Sequence, residues 1–309
     1  MVCVAFMRRK LYTPDLKIVD DFAFWSNKSD HLSDLFADSS ELSDYSEKLF
    51  HCGDWLSFTP SEDGDGYHLT GASFCRKRLC PCCQWRRSQK IYAQLSDLWD
   101  SLQSSGFVVL HLVLTVKNCS ADDLTSTINH LYKSSSRLFR SDDLRGFRGV
   151  LRFCEVTYSM NDYSYHPHLH CLIAVLPSYF HSRDYLSHDR IRHLWADSLG
   201  VGYLPQVNIQ RADDSAVKEV SKYCVKPFEF DGLSRPDELG VYRVYNTALH
   251  GRRMIQGYGV IRSELRRLRL DLNDDTDDIE KKEGGTPLSE KRIFAYDHNF
   301  GVYNLKDFS

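Results

Sequence analysis

The chain contains no apolar run approaching the ~20 residues that a membrane-spanning helix requires, which argues against a helical membrane protein. It also lacks a secretory-type opening: the apolar run in residues 1–7 is very short and precedes the basic residues Arg8, Arg9 and Lys10, the reverse of a leader's order. Together these absences predict a soluble, cytoplasmic protein without a membrane partner, whose ten cysteines stay out of disulfides. No internal repeat is present, so a solenoid is excluded. Nor is there an excess of basic charge: the formal net charge is −3. As a whole-chain value this speaks against a polyanionic partner.

The distribution of charge reverses that inference. Residues 1–65 hold 13 acidic against 6 basic side chains, and residues 271–309 hold 10 against 5. The body between them, residues 66–270, is left with 28 basic and 19 acidic residues, a net +9. A basic body between acidic ends suits phosphate binding.

Three histidines, His166, His168 and His170, alternate immediately before the apolar run Cys171 to Leu176. That run is rich in stiff, branched residues and reads as a strand. Alternate positions of a strand face one side, so His168 and His170 are placed to grip one metal ion. His166 is the extra histidine, beside the metal or in contact with a ligand. Two imidazoles hold a metal loosely, and a carboxylate on the neighbouring strand would complete the set. Glu155 is the candidate, in a predicted strand over 148–158, joined by a loop at 159–166 to a strand over 168–176. Two histidines and one carboxylate with open positions suit a divalent ion such as Mn2+ or Mg2+.

The cysteines carry a second pattern. Cys75, Cys80, Cys82 and Cys83 crowd into nine residues, with Cys52 upstream. A Cys-x2-Cys pair joined to distant cysteines is a zinc pattern. Cys52, Cys75, Cys80 and Cys83 would give four thiolates and a closed structural site, with Cys82 a rival for Cys83 and His51 a rival for Cys52. Arg86 and Arg87 follow Trp85 directly after this cluster and suit contact with a nucleic-acid backbone. Cys119, Cys154, Cys171 and Cys224 are read as filling core space.

Along the chain, residues 26–48 form a loose amphipathic helix or stay disordered. Helices are predicted over 85–104, 121–139, 183–198 and 213–225, the third stopped by Gly200 and the last by Pro227. Strands are predicted over 107–117 and 203–210, with a hairpin from Arg292 onward. The order is that of an α+β protein. The expected division is an acidic N-terminal segment (1–48), a cysteine-rich zinc and DNA-binding module (49–90), a main domain (91–270), and an acidic linker with the C-terminal hairpin (271–309).

Three segments together resemble the ordered motifs of HUH endonucleases, and more narrowly the rolling-circle replication initiators of small bacterial plasmids with a single catalytic tyrosine. The first is an apolar strand ending Thr115-Val116-Lys117-Asn118. The second is His166-Pro167-His168-Leu169-His170. The third is Lys222-Tyr223, followed by Lys226-Pro227. Gly251-Arg252-Arg253, followed by Gly257, is similar to the family's segment after its third motif, and the cysteine-rich stretch also has a counterpart there. The resemblance covers roughly residues 50–270. It implies a mainly antiparallel, ferredoxin-like HUH sheet backed by helices, and an enzyme that cuts and rejoins single-stranded or hairpin origin DNA. Host helicase and polymerase would be its partners.

On this resemblance Tyr223 is the nucleophile. Its phenol has a pKa near ~10 and leaves more readily than an alkoxide, so a phosphotyrosine linkage can be resealed. Glu219, Tyr223 and Lys226 share one face of the predicted helix. Lys222 or Lys226 would steady charge on the phenolate or phosphate. The resemblance assigns Glu219 to activating water for the closing cleavage. Lys117 and Asn118 would position the substrate, and Arg252 and Arg253 would contact phosphates. Two rivals remain. Another single-tyrosine HUH enzyme, a transposase or relaxase, is opposed by the cysteine module and Glu219. A zinc-dependent DNA-binding regulator without catalysis is opposed by Glu155, His168, His170 and Tyr223 occurring together.

Overall fold

The structure, a computed structural model, describes residues 12–13, 16–61, 66–213, 232–272 and 291–306. Glu219, Lys222, Tyr223, Cys224 and Lys226 lie outside the described residues. The fold is α+β, with two antiparallel five-stranded sheets, and the chain divides into two compact units. Among the described residues no helix is long and apolar enough to cross a membrane.

The first unit comprises residues 1–93, 225–243 and 274–309. Its sheet is built from β1 (Tyr12–Thr13), β2 (Trp55–Pro60), β3 (Tyr67–Ala72), β9 (Arg292–Asp297) and β10 (Val302–Lys306), in the order β1-β3-β2-β9-β10. The hairpin expected from Arg292 onward is therefore present, and β9 pairs with β2 through Leu56↔Phe294. Residues 26–48 are largely helical: α1 (Ile18–Ala37) buries Phe22, Leu32, Leu35 and Phe36 along one stripe, and α2 (Ser43–Phe50) buries Leu49. Helix α3 (Pro81–Ser104) begins with proline directly after Cys80, a position where the missing N–H is no loss.

The second unit comprises residues 94–224 and 244–273. Its sheet holds β4 (Val108–Thr115), β5 (Gly149–Ser159), β6 (Ser164–Val175), β7 (Val207–Arg211) and β8 (Ile255–Tyr258), in the order β7-β4-β6-β5-β8. Strand β6 is central, and every residue from Pro167 to Val175 is buried. Among the described residues, three α-helices lie wholly in this unit: α4 (Leu124–Leu138), α5 (His188–Leu199) and α7 (Gly259–Arg267); α6 (Arg235–Leu249) precedes β8. Helix α4 buries Leu124, Ile128, Leu131 and Leu138. Ser187 accepts a hydrogen bond from the Arg190 N–H and opens α5, and Gly200, at φ 68°, closes it as expected.

One boundary is corrected. The strand expected from residue 168 begins at Ser164 and runs through Pro167, so the turn shrinks to residues 160–163. Proline is tolerated because β4 has already ended: its last pair with β6 is Thr115↔His168, so Pro167 lies where β6 has a continuous ladder only on the β5 side.

Candidate active site and metal centres

The register of the β5–β6 hairpin brings the first site together. Glu155 pairs directly with His168, and Phe153 with His170. Cross-strand partners share a face, so Glu155, His168 and His170 project to one side, and their ligating atoms lie within 4.8 Å of one another. Both imidazoles aim Nε2 at the same carboxylate oxygen: Glu155 Oε2 is 2.8 Å from His168 Nε2 and 3.0 Å from His170 Nε2. Burial alone would raise the Glu155 carboxyl, but hydrogen bonds from His168 and His170, with their charge, outweigh it and hold it at about 2. Glu155 is thus an anion at any working pH.

The donor set fits a divalent cation. The His168 Nδ1–H donates to the His166 carbonyl at 3.1 Å. That leaves Nε2 as the ring nitrogen facing the Glu155 oxygen, and a cation bound between them would take the place of the shared proton. Oxygen and nitrogen ligands at about 2.1 Å on adjacent octahedral corners stand about 3 Å apart, the spacing seen here.

His111 on β4 was not singled out from the sequence. Its Nε2 lies 3.2 Å from His170 Nδ1, the rings stacked at 5.4 Å, so it orients His170 from behind. The signal was available: His111, Val113 and Thr115 alternate on one face, and register places Val113 and Thr115 opposite His170 and His168. His166 is half-buried, stacks on His168 at 5.1 Å, and stands outside the ligand group; burial lowers its pKa.

Lys117 and Asn118 emerge exposed just beyond β4. The Trp195 indole N–H donates to the Thr115 carbonyl at 2.8 Å and anchors that strand end. The Lys117 ammonium sits 4.4 Å from the centre of the Tyr203 ring, and the Asn118 amide donates to Ser164 Oγ at 2.7 Å. Arg253 is exposed. Arg252 is tied down, donating to Asn129 Oδ1 at 2.6 Å and to the Thr125 and Ala248 carbonyls. Its partly exposed guanidinium is thereby tied to the start of α4. On β5, Arg152 is only 1 % exposed; it donates to Ser135 and Gln256 and lies over the Tyr132 ring. It lies three positions before Glu155, so it faces the opposite side of the sheet. Cys154 and Cys171 are buried, as expected of core-filling thiols, and Cys119 is half-buried.

In the first unit the ligand atoms of Cys52, Cys75, Cys80 and Cys83 also lie within 4.8 Å of one another. The contacts Cys52–Cys83 (3.5 Å), Cys80–Cys52 (3.4 Å) and Cys75–Cys83 (3.7 Å) approach the about 3.8 Å edge of a tetrahedron with 2.3 Å zinc–sulfur bonds. Each cysteine arrives by a local device. Arg76 has φ 58°, which turns the chain so that its N–H points at Cys83 Sγ, 3.2 Å away. Cys80 precedes α3, and the Cys83 N–H points back at its sulfur at 3.5 Å. Hydrogen bonds from Cys52, Cys75 and Cys80, with help from the Arg86 charge, hold Cys83 well below the usual thiol range despite burial. Cys82 is buried but outside the group, and His51 pairs with Asp54 instead. Four sulfurs without an open corner fit structural zinc.

Arg86, expected to contact DNA, is 8 % exposed and lies over the Phe74 ring at 4.6 Å, while Trp85 stacks with Trp25. Arg87 is half-buried, and burial with the nearby Arg78 charge brings it down to about 10.

If the cluster holds zinc, Cys80→Ser should leave a chain with far less than one zinc bound and about 3 kcal/mol or more less stable, about 6–12 °C in Tm. Cys82→Ala should keep its metal. Metal analysis and thermal melts of both variants decide this, and equal zinc content in the two would remove Cys80 from the ligand set.

The chain matches the model of a family described as "Replication protein" over residues 66–303, a span that includes Cys75, Cys80, Cys83, Glu155, His168, His170 and Tyr223. It is similar to "Protein rep" of Streptococcus pneumoniae serotype 2, 36% identical over 276 residues, covering 83% of this chain and 84% of that protein. A "Protein rep" from Bacillus sp. is 29% identical over 288 residues, covering 85% and 92%. One from Lactiplantibacillus plantarum is 34% identical over 235 residues, covering 71% and 74%. No solved structure matches the chain.

Proposed function

Because this chain belongs to the replication-protein family of rolling-circle plasmid replication initiators, we propose that it starts replication by nicking single-stranded or hairpin origin DNA through a 5'-phosphotyrosine intermediate. The observation that carries the reading is the convergence of His168 and His170 on one oxygen of an anionic Glu155. These three residues would hold Mn2+ or Mg2+, which when bound supplies Lewis-acid stabilisation of the scissile phosphate. The antiparallel sheet that carries them supports an HUH-type, ferredoxin-like reading of the second unit.

Tyr223 is the nucleophile in this proposal. Its phenolic oxygen bonds to phosphorus, the bond from phosphorus to the 3'-oxygen breaks, and that oxygen takes up a proton. The products are a 5'-phosphotyrosyl strand and a free 3'-hydroxyl for a host polymerase, with a host helicase opening the duplex. The phenol's proton goes to a nearby base, and Lys222 or Lys226 offsets charge on the phosphate. Lys117 and Asn118, exposed beyond the same sheet end, and Arg253 would position the strand. The test is incubation of the full chain with Mn2+ and a plasmid carrying its coding region and flanking DNA. A nicked circle and a covalent protein–DNA adduct are expected; binding without either would overturn the proposal.

Glu219 separates initiation from termination. It would act as proton acceptor for water at the closing cleavage, and hydrolysis leaves no ester to reverse. Glu219→Ala should therefore nick and join normally, while hydrolytic release falls on the order of 10²-fold or more. A two-origin plasmid reads both steps; an equal fall in both would assign Glu219 to general support.

A further inference from the structure

The turn joining the two metal-site strands is built with more care than a connection needs. Residues 160–163 link β5 to β6 and begin five positions from Glu155 and His168, or about 17 Å along the strands. Tyr163 has φ 53°, a left-handed conformation that a bulky side chain adopts at a cost and keeps only where its surroundings enforce it. Hydrogen bonds around the turn supply those surroundings. The Asn118 amide donates to Ser164 Oγ, and Ser164 Oγ donates to Asp162 Oδ1 at 2.8 Å. Asp162 is held below its ordinary range by hydrogen bonds from Ser159 and Ser164. The turn is thus locked to the end of β4, beside Lys117.

Beside the exposed Asn161 and Asp162, this locked turn displays two large apolar side chains. Tyr163 is 68 % exposed and Met160 48 %, and Tyr163 is the most exposed large hydrophobic among the described residues of its unit. The turn carries no cation, and its one carboxylate is turned to neighbouring hydroxyls. Such a tip repels phosphate and accepts a flat apolar group. The cation, Lys117, stands at the strand end to which the turn is tied. A charged contact for the backbone followed by an aromatic for a base is how single strands are held without sequence readout.

We infer that Tyr163, backed by Met160, is a base-stacking platform for single-stranded DNA, placed to take a base roughly five stacked nucleotides (at 3.4 Å each) from the scissile phosphate. The inference rests on the proposed nicking reading. Asn118 then acts as a positioning residue, setting the angle of the tip through Ser164.

The test measures equilibrium binding of the full chain to oligothymidylate and to its abasic counterpart, which has the same phosphates and no bases. Metal is omitted, so the readout is independent of catalysis. Wild type should prefer the base-bearing strand, and Tyr163→Ala should lose roughly 5-fold or more of that preference, within the range for one aromatic–base stack, while binding the abasic strand as before. Tyr163→Trp should retain the preference. Asn118→Ala should weaken it with Tyr163 still present. Tyr163 is exposed and strained, so its replacement does not threaten folding. An unchanged preference in Tyr163→Ala overturns the inference. If that variant instead loses self-association with DNA binding intact, the tip is a protein contact and the inference is likewise overturned. Wild type that nicks its plasmid while Tyr163→Ala behaves identically sinks only this inference; wild type that neither nicks nor binds either strand sinks the reading beneath it.

Discussion

A Tyr223→Phe chain is expected to bind origin DNA with near wild-type affinity and to form no covalent adduct. The substitution deletes one oxygen and keeps the ring, so any contact made by ring or backbone survives. On the proposed chemistry that oxygen is the attacking atom, and no neighbouring group replaces it: Lys222 and Lys226 are cations, and Glu219 is assigned to water. Loss should therefore be complete within detection rather than graded. The measurement pairs a binding isotherm with a denaturing gel of the same mixture. An undiminished adduct would move the nucleophile to another residue, and loss of binding together with the adduct would make Tyr223 a DNA contact.

His170→Ala and His168→Ala are expected to reduce nicking roughly a thousandfold, since Lewis-acid stabilisation of a phosphoryl transition state is worth several kcal/mol. Excess chelator should reproduce the loss in wild type. Glu155→Ala should behave like the histidine variants, because both imidazoles aim at its one oxygen. His111→Ala should cost less, roughly 10- to 100-fold, because His111 orients His170 and does not itself converge on the site. Nicking rates of the four variants over a Mn2+ titration test the ordering. A His170→Ala chain with full activity at high Mn2+ would place that histidine outside the ligand set, and a His111 effect as large as that of His170 would reverse their roles.

Local regularities were enough for part of this picture. Alternation in a strand puts His168 and His170 on one face wherever that strand lies, because side-chain direction has a period of two residues. A Cys-x2-Cys pair joined to distant cysteines pointed to a four-thiolate site, although the helix that brings Cys80 and Cys83 together starts at Pro81 and not at Trp85. The basic body between acidic ends, and the motif set ending in Lys222-Tyr223, were likewise legible without coordinates.

Pairings between distant segments were settled only by the tertiary structure. Strand register set Glu155 opposite His168 and His111 behind His170; no local rule specifies register, which follows from which strand faces bury together. Cys52 and Cys75 reach Cys80 and Cys83 because β2 and β3 pair, and this selected Cys83 over Cys82 and Cys52 over His51. The C-terminal hairpin joins a sheet begun more than two hundred residues earlier through β2 and β9. The direction of arginine side chains was also beyond the sequence. Arg86 and Arg252 carry the same charge as exposed Arg253, yet one lies over Phe74 and the other is tied to α4. A long side chain follows whichever ring, carbonyl or solvent its backbone happens to face, and that choice belongs to the folded chain alone.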